Sequence, residues 1–337
     1  MKLWLLLIKK LNAFEGRMQM DSPFEYRNCP GCGEDDFEIL FESNMKSDDF
    51  NVLFEYAMEG YDSQERVEGY LVPGKEWGRH VRCKRCHLIY VNPTEKASKI
   101  NEHYSEAKNT HAPAIRESYL RTARSQVRLI EKYANGTNLL DIGCAQGFFL
   151  HSAHEAGYTT KGVELSQDAA EYARREFGLD VEAKPFEELQ FPESHFDVVT
   201  LWQTLEHVPY PLVTLKEVHR ILKPGGLVAV STPDIEATPA RVLGKRWWDI
   251  KRLHINQFST RTLSGILRNT GFRDISSASH RGFVSLSILV TMMLKYLSVY
   301  EQSKSLPDPA SPLGNIMDKM MFVYPSRFNH CVVLGFK

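Results

Sequence analysis

From residue 138 the chain alternates between two hydrophobic periods, and this alternation limits its fold more than any other property of the sequence. Apolar runs of strand type stand at 138–142 (NLLDI), 160–165 (TKGVEL), 196–202 (FDVVTLW) and 226–232 (GLVAVST). Around them apolar residues recur at spacings of three and four, which places helices near 147–157, 167–177, 211–222 and 259–271. Lys223-Pro224-Gly225-Gly226 marks a stop and turn before the fourth strand, and Gly271 stops the last helix. Strands joined by helices in strict succession pair in parallel, with helices on both faces of the sheet. Two further stretches, FRDISSASHRG and the terminal CVVLGFK, read as closing strands. The expected class is α/β, doubly wound and mostly parallel.

The first strand ends in a glycine loop, Gly143-Cys144-Ala145-Gln146-Gly147. A dinucleotide-binding turn needs a third glycine so that backbone can approach a pyrophosphate, and none is present. A P-loop is excluded as well, because no Gly-Lys-Ser/Thr follows. The second strand ends near Glu164, and a carboxylate there can accept hydrogen bonds from both hydroxyls of a ribose. The loop and the acid together suit a ligand with a ribose but without a phosphate to be cradled, such as an adenosine-based sulfonium. The bland alternatives are that Asp141 caps the following turn and that Glu164 is a solvated strand end.

In order and spacing, LLDIGCAQG, GVELS, FDVVTLWQTLEHV and ILKPGGLVAVSTP resemble the motifs of class I S-adenosylmethionine-dependent methyltransferases. The likeness runs from residue 138 to about 280. It implies a seven-stranded Rossmann-like sheet and S-adenosyl-L-methionine as the cofactor. It also implies that Asp141, Gly143 and Gly147 line the methionine and ribose side, with Gln146 close by. Glu164 would hold the ribose hydroxyls and Leu165 would pack on the adenine. Phe186 and Glu187 would border the adenine edge, and Leu201, Trp202 and Gln203 would face cofactor and acceptor. Ala145 stands where many members carry glycine, and Pro185 where many carry aspartate.

Methyl transfer from a sulfonium asks the protein to align the acceptor, exclude water and remove a proton. Within TLEHVPYP, His207 follows the fourth strand and is the first candidate base, with Glu206 able to orient it or raise its basicity. His254 is a second candidate base. The alternative for His207 is a structural histidine that pins its loop. The same stretch resembles a segment of ubiquinone-biosynthesis O-methyltransferases in which two acids and a histidine bind a divalent metal. Gln203 occupies the first acid's position, and an amide oxygen is a poorer ligand for a hard cation.

Upstream, Cys29-Pro-Gly-Cys32 and Cys83-Lys-Arg-Cys86 form two matching pairs whose four thiolates suit a closed tetrahedral zinc site. The 50 residues between the pairs exceed the roughly 15–20 of ordinary ribbons, so the expected zinc-ribbon-like module contains an insertion. Reduced free thiols are the alternative. Residues 25–95 hold 15 Asp/Glu against 8 Lys/Arg, which repels a phosphate backbone. That argues against nucleic acid, and hence against a ribosomal-RNA methyltransferase. A cofactor-binding regulator without catalysis is the other alternative. CHLIYVNP resembles the junction in small-molecule methyltransferases, including sugar C-methyltransferases with a cysteine-bound N-terminal module.

Two segments bear on the acceptor. Residues 241–261 hold six Lys/Arg and one aspartate around Trp247 and Trp248, which suits an anionic head group or, alternatively, a solvated loop with core tryptophans. In 283–300, Ser287, Thr291, Lys295 and Ser298 trace one narrow polar stripe on a helix with a wide apolar face. Such a helix could roof an acceptor pocket, touch a membrane surface, seam a homodimer, or be buried in its own domain. A small-molecule or lipid-linked acceptor, with O-methylation ahead of C-methylation, accommodates both segments. The opening MKLWLLLIKKL has too short an apolar core for a signal peptide, and six cysteines without an export signal point to a reducing cytoplasm. Cys144 and Cys331 sit in apolar contexts as packing residues. The expected organisation is a disordered extension at 1–24, a four-cysteine zinc-binding module at 25–95 and a helical linker or cap at 96–135. A methyltransferase domain at 136–337 follows, with an apolar helical insertion near 283–321.

Overall fold

The structure is a computed structural model that describes residues 24–41, 79–107, 113–251, 253–287, 289–290, 316–317 and 319–337. The extension before residue 24 and most of the apolar segment from 283 to 321 lie outside the described residues.

The N-terminal part forms strands β1 (Phe24–Glu25), β2 (Phe37–Phe41), β3 (His80–Cys83), β4 (Ile89–Val91) and β5 (Thr94–Glu95). Each cysteine pair sits on a turn closed by the same bond. Gly33 N donates to Cys29 O at 2.8 Å, and His87 N donates to Cys83 O at 3.0 Å. Gly33 (φ 78°) and His87 (φ 63°) both adopt left-handed backbone, so histidine takes the conformation that glycine takes in the first turn.

Helix α1 (Ala97–Ser105) and helix α2 (Pro113–Ile130) follow, so the helical region expected over 96–135 is two helices. Leu120, Ala123, Val127 and Ile130 are buried, as their spacing requires. Tyr133 lies past the end of α2 and is 41% exposed.

Next come β6 (Asn138–Ile142), α3 (Phe148–Glu155), β7 (Thr159–Val163), α4 (Gln167–Phe177), β8 (Val181–Glu182) and β9 (Phe196–Trp202). The chain continues through α5 (Pro211–Ile221), β10 (Leu222–Pro233), α6 (Thr238–Leu243), β11 (Asn256–Gln257), α7 (Thr260–Asn269) and β12 (Arg273–Ala278). It ends with β13 (Arg281–Ser285), β14 (Met321–Pro325) and β15 (His330–Phe336). Local chemistry sets several of these boundaries. Ser166 caps α4 by accepting from Ala169 N, and Gly178 closes it in left-handed conformation. Ser259 and Thr262 form a reciprocal capping box at the start of α7.

The central sheet has seven strands in the order β12-β15-β10-β9-β6-β7-β8. β6 to β10 run parallel, and β15 is antiparallel to both of its neighbours. β6 pairs with β7 on one side and β9 on the other, so successive connections leave it in opposite directions. That reversal opens a crevice at the carboxyl ends of the strands, where open α/β sheets take ligands. One apolar cluster on the sheet includes Leu140, Leu201 and Val218, and a second includes Leu139, Leu150 and Ala173.

Three local features depart from the sequence reading. β10 begins directly after α5, and the residues between Leu222 and Leu227 form an irregularity within the strand rather than a turn before it. β8 is only two residues long and carries no legible period. Phe283–Ser285, expected at the start of a helix, belong to β13, because they pair with β14 and Phe283 N bonds to Thr122 on α2.

The cysteine segment is joined to the sheet domain through a second sheet, β11-β4-β3-β2. Its outer strand comes from residues 256–257, far along the chain. Cys29, Val81, Cys83, Leu88 and Tyr90 share an apolar cluster with Leu140, Leu201, Leu205 and Ile266. These parts of the chain bury a common core.

Candidate functional site

A cavity lies at the carboxyl ends of β6, β7 and β9, roofed by α1. Gly143, Ala145, Glu164, Leu165, Phe186, Glu187, Gln203 and His207 line it from the sheet side. Ile100, His103 and Tyr104 line it from the roof.

Glu164 holds the floor together. Its Oε2 accepts from Ala145 N and its Oε1 from Ser166 N, each at 2.8 Å. One carboxylate therefore joins the loop after β6 to the start of α4. Burial pushes its pKa up, and the two backbone donors oppose that shift. Each oxygen keeps lone-pair capacity for a further donor from the cavity. Ser166 Oγ in turn donates to Ala107 O at 2.9 Å, which ties the roof segment to the same corner.

The glycine loop is shaped by contacts within the protein. Gly143 has φ 74°, and a Cβ there would meet Thr204 Oγ1 at 2.5 Å. Gly147 has φ 78°, and a Cβ would meet Leu179 Cδ1 at 2.7 Å and Ala173 Cβ at 2.9 Å. Ala145 also has positive φ, 47°, which explains why glycine suits that position. Gln203 at the tip of β9 is a second strained residue (φ 55°), held by its N–H to Ser231 O and its Nε2 to Ser231 Oγ.

Asp141 lies beneath the cavity and is 2% exposed. Thr200 donates to its Oδ1 at 2.6 Å. Burial pushes its pKa up to about 8 against that hydrogen bond, with the charge of Glu164 adding to the rise. Its visible role is to clamp β6 to β9.

Three residues singled out from the sequence point elsewhere. Leu201 is fully buried in the sheet core, and Trp202 packs against Phe149 at 5.4 Å and His280 at 5.7 Å between centroids. Trp202 and Leu201 alternate across the sheet, as successive strand residues must, so both cannot face one ligand. Gln146 is half-buried in the loop and does not line the cavity.

His207 lines the cavity, and its Nδ1 lies 3.0 Å from Leu253 O and 2.5 Å from Tyr104 Oη. A proton on Nδ1 satisfies the Leu253 carbonyl and leaves Nε2 as the acceptor nitrogen. Burial lowers the His207 pKa to about 4, with the charge of Lys251 adding and the Leu253 bond opposing, so the ring is neutral. His254 stands behind it, ring centroids 4.6 Å apart, with Nδ1 3.0 Å from Asp249 O. Glu206 is 1% exposed, and neither carboxyl oxygen has a hydrogen-bond partner among the described residues. Burial raises its pKa to about 8, and Asp249 contributes in the same direction. Possible ligand atoms of Glu206, His207 and His254 lie within 4.8 Å of one another, so this trio has the composition and reach to hold a cation. Of the three, only His207 touches the cavity.

The four cysteines converge. Cys29 and Cys86 sulfurs are 3.4 Å apart, Cys32 and Cys83 sulfurs 3.6 Å, and all four lie within 4.8 Å of one another. Sulfurs around a tetrahedral zinc at ~2.3 Å would be ~3.8 Å apart, so the set fits that ion. The hydrogen bond from Cys29 is the chief cause that lowers the Cys86 pKa to about 5, while the same pairing raises Cys29. Trp247 is fully buried and donates to Asn329 Oδ1 at 3.0 Å, so this tryptophan of the basic segment is a core residue.

Tyr104, His103, Lys184 and Thr204 line the cavity and were not singled out from the sequence. Thr204 could have been found by asking what crowds Gly143. Tyr104 and His103 carry no such sign, because only the folding back of α1 brings them to the strand tips.

Residues 114–277 match a family model described as "Methyltransferase domain". The chain is 35% identical over 103 residues to a ubiquinone biosynthesis O-methyltransferase of Pseudomonas aeruginosa (strain LESB58), covering 29% of this chain and 44% of that protein. Against the protein of the same name from Pseudomonas syringae pv. tomato the identity is 36% over 116 residues, covering 32% and 50%. The chain thus spans about half the length of these curated relatives. Among solved structures, a phosphoethanolamine N-methyltransferase 2 of Haemonchus contortus with bound S-adenosyl-L-methionine aligns at a TM-score of 0.48 and 17% identity, over 74% of this chain and 62% of that one.

The strained loop and the buried acid each have a measurable consequence. Ala145→Gly should stabilise the fold by about 0.5–1 kcal/mol through relief of positive-φ strain, whereas Gly143→Ala should destabilise it; urea denaturation reads both signs. Glu206 stays protonated in the fold while the unfolded side chain ionises above pH ~4.3, so its contribution to stability falls as pH rises toward about 8. Glu206→Gln should remove that fall, at most about 1.4 kcal/mol per pH unit, as measured by unfolding at a series of pH values.

Proposed function

From the match of residues 114–277 to a family model described as "Methyltransferase domain", we propose that the chain transfers a methyl group from S-adenosyl-L-methionine to a small-molecule acceptor, at oxygen in preference to carbon. The observation that carries this reading is Glu164. It is a carboxylate at the tip of β7, beside the reversal at β6, bonded to the glycine loop and lining the cavity. A carboxylate so placed accepts from a ribose diol, and the adjacent Leu165 and Phe186 offer apolar walls for a base. The curated relatives are named as O-methyltransferases, which supports oxygen as the methylated atom.

The bound cofactor supplies an electrophilic methyl group on a sulfonium. The residues of this chain do the rest. Glu164 and the loop from Gly143 fix the nucleoside end. Gln203 and Thr204 border the space in which the acceptor meets the methyl group. His207, neutral and tied at Nδ1, can accept the hydroxyl proton at Nε2 as the acceptor oxygen attacks. Tyr104 beside it fixes the ring and closes the cavity to water. Asp141 acts from below by holding β6 against β9.

The acceptor side of the cavity is apolar at Ile100, Val208 and Leu253, which suits an aromatic or isoprenoid body bearing a hydroxyl. A lipid-linked acceptor remains within this reading. No described helix is long and apolar enough to cross a membrane. We propose further that Cys29, Cys32, Cys83 and Cys86 hold one structural zinc ion, which would fasten the two turns and the strands that carry them.

Glu164→Ala should weaken binding of S-adenosylhomocysteine by about 1–3 kcal/mol through loss of charge-assisted hydrogen bonds. Unchanged affinity by calorimetry would reject the assignment. Elemental analysis of protein purified without chelator should find one zinc per chain, and the Cys29→Ser/Cys83→Ser variant should lose it. A wild-type preparation with far less than one zinc would remove the metal from the account.

A further inference from the structure

We infer that the groove between α2 and the β13–β14 hairpin docks on an anionic lipid surface. Arg128 on α2, Lys132 just past it, Arg281 on β13 and Arg327 after β14 all line this groove. All four are exposed, and none makes an ion pair among the described residues. No Asp or Glu lines it; Glu131 lies between Arg128 and Lys132 in sequence but does not line the groove. Four like charges around one depression repel one another, and no ion pair among the described residues ties any of them down, so the arrangement complements an external anion.

The same wall is apolar. Val323 lines the groove at 55% exposure, and Phe328, next to Arg327, is 54% exposed. Ile316, Met320 and Phe322 are also exposed. Five of the twelve large apolar side chains most exposed among the described residues thus fall within 316–328. Cations beside exposed apolar side chains match the layering of a bilayer, phosphate outside and acyl chain beneath. A nucleic acid would satisfy the cations but leave Val323 and Phe328 in water.

The groove also meets the central sheet on the face away from the cavity. His280 on its wall packs on Trp202, the residue before Gln203. The inference stands on this face alone and does not require the methyl-transfer reading.

The test is co-sedimentation of the full chain with phosphatidylcholine vesicles, with and without phosphatidylglycerol. Binding should require phosphatidylglycerol and weaken as salt rises. Each cation reversed among Arg128→Glu, Lys132→Glu, Arg281→Glu and Arg327→Glu should lower the partition coefficient at least about fivefold. Val323→Ser/Phe328→Ser should weaken binding with the charge unchanged. An unaltered melting temperature shows that each variant is folded. The inference is overturned if the wild-type chain ignores anionic vesicles, if folded charge-reversal variants bind as well as wild type, or if a single-stranded RNA binds this face while vesicles do not. Failure to bind S-adenosylhomocysteine would count against the proposed function and leave this result untouched.

Discussion

The bonds of one carboxylate organise the crevice. Glu164 accepts from the backbone of the loop after β6 and from the start of α4, so the two strand tips at the sheet's reversal cannot drift apart without breaking charge-assisted bonds. Burial of that acid costs free energy, and the two N–H donors offset it only in part, as its raised pKa shows. The acid lines the cavity at that reversal. The strained Ala145 and Gln203 stand on either side, where backbone conformation has been given over to shape.

A second set of bonds carries the cysteine segment to the other side of the cavity. Arg27 donates to Pro209 O at 2.6 Å, to Ile255 O at 3.1 Å and to Asn256 Oδ1 at 3.1 Å. Asn256 also donates to Val208 O, and its strand pairs with β4. Burial lowers the Arg27 pKa to about 10, yet the guanidinium remains charged at neutral pH and serves as a three-way clasp. The loops that present His207 and Leu253 therefore rest on the cysteine turns, although those turns lie more than a hundred residues earlier in the chain.

Much of the core fold was legible because local rules and tertiary structure agree there. The expected strands at 138–142 and 196–202 match β6 and β9 residue for residue, and the helix at 167–177 matches α4. Each is bounded by turn or cap chemistry that needs no distant partner. β8 was not legible because two residues cannot display a period. The end of β13, Phe283–Ser285, reads as helix because its apolar residues fit either period, and pairing with β14 decides between them.

Of the site, the sequence by itself determined the glycine loop, the acid that follows it and the two cysteine pairs. Each is a short pattern whose chemistry is carried by spacing along the chain. Tertiary structure alone decided which residues meet. It set Tyr104 against His207, placed Glu206 and His254 behind the cavity wall, turned Trp202 to the far face, and joined β11 to β4. Contacts of this kind depend on the angle at which one element crosses another. That angle is set by the summed packing of many side chains, and no single window of sequence contains it.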